Sequence, residues 1–216
     1  MRLFLKIALL LSSILCISGC RISKYNHRNC DKISLTKDLI TPVFNPNSTL
    51  RYNTTIDVLK NHLSGLIIVK QTDSITKHIV FVTELGMKMF DFELNDHEIK
   101  TAYIFEPLNK LKLIEALKRN FSNMFLLNEL DKNGIECSRN GIKFFFVANH
   151  TMKWAYSGPV SDNNNLDLRL QETFHNHKRT SRINYIYNVK TQSYSHITCK
   201  QYGLIKFYFE LTEIQK

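Results

Sequence analysis

Met87-Lys-Met-Phe-Asp-Phe-Glu-Leu94 is followed by Asn95-Asp-His97 and then by Ile99-Lys-Thr-Ala-Tyr-Ile-Phe105. Phe90, Phe92 and Leu94 alternate with Asp91 and Glu93, and Ile99, Thr101, Tyr103 and Phe105 alternate with Lys100 and Ala102. A period of two with a polar break describes two half-buried strands joined by a short turn. Immediately afterwards the period changes. Pro107 suits the first turn of a helix. Leu108, Leu111, Ile114, Leu117 and Phe121 recur at steps of three and four, while Lys110, Lys112, Glu115, Lys118 and Arg119 take the other face. This predicts one amphipathic helix over about 107–125. An apolar stripe of that kind must be buried against a neighbour, and the neighbouring sheet is the candidate.

Upstream, the same strand signal recurs. Leu50 to Leu59 alternates, Leu66 to Gln71 follows Gly65, and Lys77 to Thr83 leads into Glu84-Leu-Gly86. Short loops between alternating segments predict an antiparallel meander. Downstream, Asn140-Gly141 between Ile135-Glu-Cys137 and Ile142–Ala148 is a strong hairpin signal. Phe145 and Val147 make Ile142–Ala148 apolar on both faces, as in a central strand, and Met152 to Tyr156 extends it. Leu166 to Phe174 fits a strand or a helix equally well. Ile183 to Val189 and Ile205 to Leu211 are further strands. The predicted fold is mainly β (α+β): a curled antiparallel sheet or unclosed barrel of eight to ten strands with one helix packed on it.

The chain starts with a basic Met1-Arg-Leu-Phe-Leu-Lys6 and an apolar run from Ile7 to Ile17. That run is shorter than the roughly 20 residues needed to span a bilayer, so it fits a secretory signal better than a membrane helix. It ends in Ile17-Ser18-Gly19-Cys20, which resembles the lipobox of bacterial lipoproteins. The resemblance implies cleavage between Gly19 and Cys20 and acylation of the Cys20 sulfur. Acyl burial is worth about 0.8 kcal/mol per CH₂, so two or more chains hold a protein on a membrane. The expected organisation is a signal peptide (1–19), a lipidated N-terminus and polar tether (20–48), and a single β domain (49–216). The absence of an Asp after Cys20 implies, by the same resemblance, the bacterial outer membrane on its periplasmic side.

The formal charge of the 216 residues is +10, and losing Arg2 and Lys6 with the leader brings it to +8. An exported chain with no run of five or six cations does not point to nucleic acid; the charge fits either an anionic lipid surface nearby or a plain solvated surface. Of five cysteines, Cys30, Cys137 and Cys199 remain as mature thiols, enough for one disulfide with one left over and no pairing indicated. Four Asn-x-Ser/Thr sequons, at Asn47, Asn53, Asn120 and Asn149, are expected to be unused in a lipoprotein.

Catalytic signatures are missing: no G-x-S-x-G, no Gly-rich phosphate loop, no H-E-x-x-H. Asp91 and Glu93 form a carboxylate pair of the kind usual on the wet face of a strand. His175-Asn176-His177 is the one metal-like cluster, but Lys178, Arg179 and Arg182 beside it disfavour a cation, so an exposed basic loop is expected. No enzyme activity, metal or cofactor is expected. What stands out is the aromatic load on strands: Phe90, Phe92, Tyr103, Phe105, Phe144, Phe146, Tyr185, Tyr187, Phe207 and Phe209. Each alone is ordinary core. As a set on a curled sheet they can line an apolar hollow for acyl chains.

The order of lipobox, polar tether, meander with Glu84-Leu-Gly-Met87 and Phe90-Asp-Phe92, amphipathic helix and further strands resembles the LolA/LolB-like lipoprotein carriers. The resemblance covers about residues 50–216 and is strongest over 65–125. It implies an unclosed β-barrel with helical cover that binds acyl chains or lipoproteins and aids envelope trafficking. The alternative is an interaction lipoprotein whose core is filled and whose surface docks an envelope partner.

Overall fold

The computed structural model describes residues 30–35, 39–41, 43, 49–58, 60–73, 76–95, 98–125, 132–148, 151–161 and 165–214. The expected signal peptide, the lipobox-like Ile17–Cys20 with its Gly19 and Cys20, and most of the expected tether lie outside the described residues. By compactness the chain divides into Met1–Cys30 and Asp31–Lys216. Every described element beyond the first residue of β1 belongs to the second unit.

Among the described residues, that unit is one sheet and one long helix. The strands are β1 (Cys30–Leu35), β2 (Thr49–Val58), β3 (Asn61–Gln71), β4 (Lys77–Thr83), β5 (Lys88–Leu94), β6 (Ile99–Ile104), β7 (Lys132–Arg139), β8 (Ile142–Ala148), β9 (Met152–Pro159), β10 (Leu170–His175), β11 (Lys178–Asn188), β12 (Ser193–Gln201) and β13 (Phe207–Glu213). A 3-10 turn (Glu106–Leu108) and helix α1 (Leu111–Met124) interrupt the series. The sheet order is β1-β7-β8-β9-β10-β11-β12-β13-β2-β3-β4-β5-β6, so β1 and β6 are edges and the sheet stays open. From β7 through to β6 in that order, every pairing is antiparallel.

The curl follows from what α1 touches. Its side chains reach β10, β12, β13 and β5, and the Met124 carbonyl accepts from Tyr185 of β11. In the sheet order β10 and β5 are seven steps apart, about 34 Å if the sheet were flat at about 4.8 Å per strand. A helix about 10 Å wide spans that only if the sheet wraps around it. Two glycines let the backbone fold this tightly. A Cβ on Gly65 would run into the carbonyl of Val82 in β4, and one on Gly158 into the carbonyl of Asp167.

Alternation decides which side of each strand faces in. Leu50, Tyr52, Thr54, Ile56 and Val58 of β2 are buried, as are Ile79 and Phe81 of β4 and Phe90, Phe92 and Leu94 of β5. Asp91 and Glu93 sit on the outer face with His78, whose Nδ1 is 2.8 Å from Asp91 and whose Nε2 is 3.8 Å from Glu93. They are the wet side of a strand. Asn140 and Gly141 both have positive φ (52° and 74°), the two-residue turn that the Asn-Gly pair demands. Asn176 and His177 do the same between β10 and β11 (46° and 64°). His175 and His177 therefore sit at a strand end and in a turn, not two apart on one strand face.

The thirteen strands exceed the eight to ten expected. Met152–Pro159 is a separate strand antiparallel to β8, with Ala148 opposite Lys153, rather than its extension. Leu166 to Phe174 resolves as extended chain leading into β10. β12 escapes the periodicity because its inward residues Tyr194 and Ile197 are three apart, where a register shift at Ile186/Tyr187 of β11 breaks the alternation. The stretch expected to be tether also contributes to the domain: β1 pairs at the edge, and Ile40 and Val43 are buried. Thr41 N–H donates to the Leu166 carbonyl at 3.0 Å, and the Tyr194 hydroxyl donates to the Thr41 carbonyl at 3.2 Å. Cys30 and Cys137 are each disulfide-bonded, and among the described cysteines Cys199 is free and buried.

Candidate functional site

The candidate site is the inner face of the sheet beneath α1. The helix begins after Lys110, held in extended backbone as its N-cap. Leu113, Ile114, Ala116, Leu117, Asn120, Phe121, Asn123 and Met124 are buried. Leu111, expected in the apolar stripe, is 75% exposed. At about 100° per residue it lies on the far side of the helix from Leu113, Asn120 and Met124. Leu113 takes the inward place instead. The buried face is therefore centred on a line that includes two asparagines.

Phe121 is at the middle of this contact. Its ring centroid is 5.4 Å from that of Phe209, 5.5 Å from Phe90 and 6.1 Å from Phe92. Phe90 and Phe92 stack at 4.8 Å, and Phe207 and Phe209 at 5.7 Å. Pairs at these separations add about 0.5–1.5 kcal/mol each beyond burial. Phe90, Phe92, Phe121 and Phe209 are all at most 1% exposed. The structure thus brings Phe90, Phe92, Phe207 and Phe209 together, with Tyr185 further round the same face, and fills the space between them with the helix.

The other aromatics singled out in the sequence are placed differently. Tyr103 is 40% exposed, with Lys88 Nζ 4.9 Å from its ring centroid. Phe105 and Tyr187 are half-buried against the edge of the core. Phe144 and Phe146 are half-buried as well, because strand alternation gives the inward side of β8 to Phe145 and Val147, each 1% exposed.

Polar groups pin the helix to the sheet, and periodicity gave no sign of them. Asn120 Nδ2 donates to the Ala116 carbonyl and to Gln201 Oε1, both at 2.7 Å, and Cys199 Sγ donates to Asn120 Oδ1 at 3.3 Å. Asn123 Nδ2 donates to Thr173 Oγ1 at 3.3 Å. The Tyr185 hydroxyl donates to Gln171 Oε1 at 2.8 Å and lies 3.4 Å from the Met124 carbonyl. The local signal for Asn120 was its position one residue before Phe121 on the inward side. Asn120→Ala strands the Gln201 carbonyl and is expected to cost about 1–3 kcal/mol in urea unfolding, with faster amide exchange along α1. A cost near zero would show that these bonds hold nothing.

Burial raises the pKa of the Cys199 thiol and of the Tyr52, Tyr185 and Tyr194 phenols; for Tyr185 the neighbouring Cys199 and tyrosines add to the effect. The unfolded chain ionises these groups near their ordinary values of 9.0 and 10.0, whereas the folded chain keeps them protonated. Above those values the unfolded state binds fewer protons, so stability falls with rising pH. The protein is expected to hold its full stability below about pH 9 and lose it progressively above. A melting temperature flat from pH 8 to 11 would contradict this. For the same reason Cys199 is expected to resist thiol reagents at pH 8 until the protein is unfolded.

Two grooves lie away from this face. One, of about 720 Å³, opens beside Gly65 and Val82 on the outer side of β2–β4. The other, of about 670 Å³, lies between the turn at Lys60 and the β12–β13 loop and touches the aromatic face only through Phe207. Among the described residues no group of three or more His, Cys, Asp or Glu side chains is placed to hold a metal. No described helix is long and apolar enough to cross a membrane.

No protein-family model matches the chain, and no curated protein does. Among solved structures the chain is similar to a LolA-superfamily protein from Nitrosomonas europaea, at 7% identity and a TM-score of 0.49, over 80% of this chain and 87% of that one.

Proposed function

We propose that this is a lipid-anchored binding protein of the bacterial envelope, not an enzyme. Cys20 would fix it to the periplasmic side of the outer membrane. The curled sheet would take up acyl chains, free or on a lipoprotein, when α1 lifts from the aromatic face. The observation that supports this reading is how α1 covers that face. One phenylalanine, Phe121, occupies the gap between Phe90, Phe92 and Phe209, while Asn120 and Asn123 hold the helix through amide hydrogen bonds. Amide bonds exchange for water at small net cost when a helix moves out, and the vacated face is hydrocarbon-like.

The anchor and the binding are tested separately. Cys20→Ala is expected to leave the membrane fraction; retention unchanged from the wild type would remove the anchor. For binding, the membrane-extracted protein is expected to carry phospholipid or fatty acid by mass spectrometry and to shift the emission of a fluorescent fatty acid. A second reading has its own support: Phe121 already fills the face, as in a protein that docks an envelope partner by its surface. Absence of both co-purified lipid and a fluorescence shift would favour docking over acyl binding.

A further inference from the structure

We propose that the groove between the turn at Lys60 and the β12–β13 loop is a binding site for a phosphate-bearing anion. The register brings these tips together: Val58 pairs with Asn61 across the turn and with Phe207, and Phe207 pairs with Gln201. Lys60, His62, Lys200 and Lys206 line the groove, with Tyr202 and Tyr208 as aromatic walls. The one carboxylate in the lining, Asp57, is taken by His62, whose Nδ1 is 2.6 Å away. None of the ion pairs among the described residues takes Lys60, Lys200 or Lys206.

The Tyr202 ring gathers positive charge further. Lys200 Nζ is 5.7 Å and the Arg179 guanidinium 4.9 Å from its centroid, and Arg179 is itself tied to Glu172 at 2.6 Å. Three ammonium groups around one groove repel one another, and an anion among them relieves that repulsion. Phosphate suits the arrangement because its several oxygens accept from several ammonium donors at once. The same chemistry is offered by a free phosphate monoester and by a phospholipid head group. Gln201, on the groove floor, also receives the Asn120 amide of α1, but the site does not depend on the acyl-binding reading.

The test is calorimetry on the full chain in dodecylmaltoside. It is titrated with inorganic phosphate and with phosphatidylglycerol in the same micelles, phosphatidylcholine serving as the zwitterionic reference. Binding of either anionic probe, weakened at least about tenfold by Lys60→Glu/Lys206→Glu, is expected. Lys153→Glu/Lys190→Glu makes the same charge change on exposed positions outside the groove and is expected to leave the affinity within about twofold. Tighter binding of phosphatidylglycerol than of inorganic phosphate assigns the site to a head group, and the reverse assigns it to a free phosphate. Binding of neither probe, equal binding of phosphatidylcholine, or an equal loss in the two double variants overturns the proposal.

Discussion

Phe121→Ala is expected to lower the free energy of unfolding by about 3–5 kcal/mol, measured by urea denaturation with the midpoint moving and the slope unchanged. The ring is fully buried and stands between β5 and β13, two strands well separated in the sheet order. Its removal takes away the transfer free energy of a phenyl group and leaves a hole that three other rings cannot close without breaking their own stacking. The same variant separates the two functional readings. If the aromatic face takes acyl chains once α1 lifts, removing the ring that fills it should tighten binding of a fluorescent fatty acid. If the face is only core, the variant should lose stability and gain no ligand. Conversely, Phe121→Trp is expected to loosen fatty-acid binding by overfilling the gap.

Gly158→Ala carries the second large effect, expected at about 3 kcal/mol. Gly158 sits in β9 opposite Lys143 of β8. On its other side the chain entering β10 passes so close that an added Cβ would meet the Asp167 carbonyl. That approach is fixed from both ends, by Asp167 N–H donating to the Pro159 carbonyl and Arg169 N–H donating to the Ser157 carbonyl, both at 2.9 Å. A side chain could swing aside, but a backbone in a ladder moves only by giving up those bonds. The loss should be seen as a lower urea midpoint and as faster exchange of the amides at 167 and 169. A variant as stable as the wild type would mean that β9 and this segment can separate freely.

Much of this architecture was legible in the chain. Lys77–Thr83 and Ile142–Ala148 have the bounds their alternation implied, and the Asn140-Gly141 turn follows from the need for positive φ at two successive residues. Helix α1 was marked by the change of period after Phe105. β12 was harder to see, because Ser195, an extra residue left unpaired between His196 and Tyr194, interrupts the period that identifies a strand. β1 and Ile40 were hidden in a polar stretch, where two or three apolar residues make no pattern until a neighbouring element supplies the other half of the contact.

The site divides in the same way. Local pattern picked out the inward aromatics Phe90, Phe92, Phe207 and Phe209, since a period of two assigns faces without knowledge of partners. It did not tell the inward side of β8 from the outward one, because Phe144, Phe145, Phe146 and Val147 are apolar on both. Only the tertiary structure decided that Phe121 fills the aromatic face and that Leu111 stays outside. It also decided that Asn120 and Asn123 lie buried against groups 81 and 50 residues away in sequence. Periodicity states that a face is apolar. What covers that face, and whether a buried amide finds a partner, depends on how far the sheet curls, and that curl is set by contacts between segments distant along the chain.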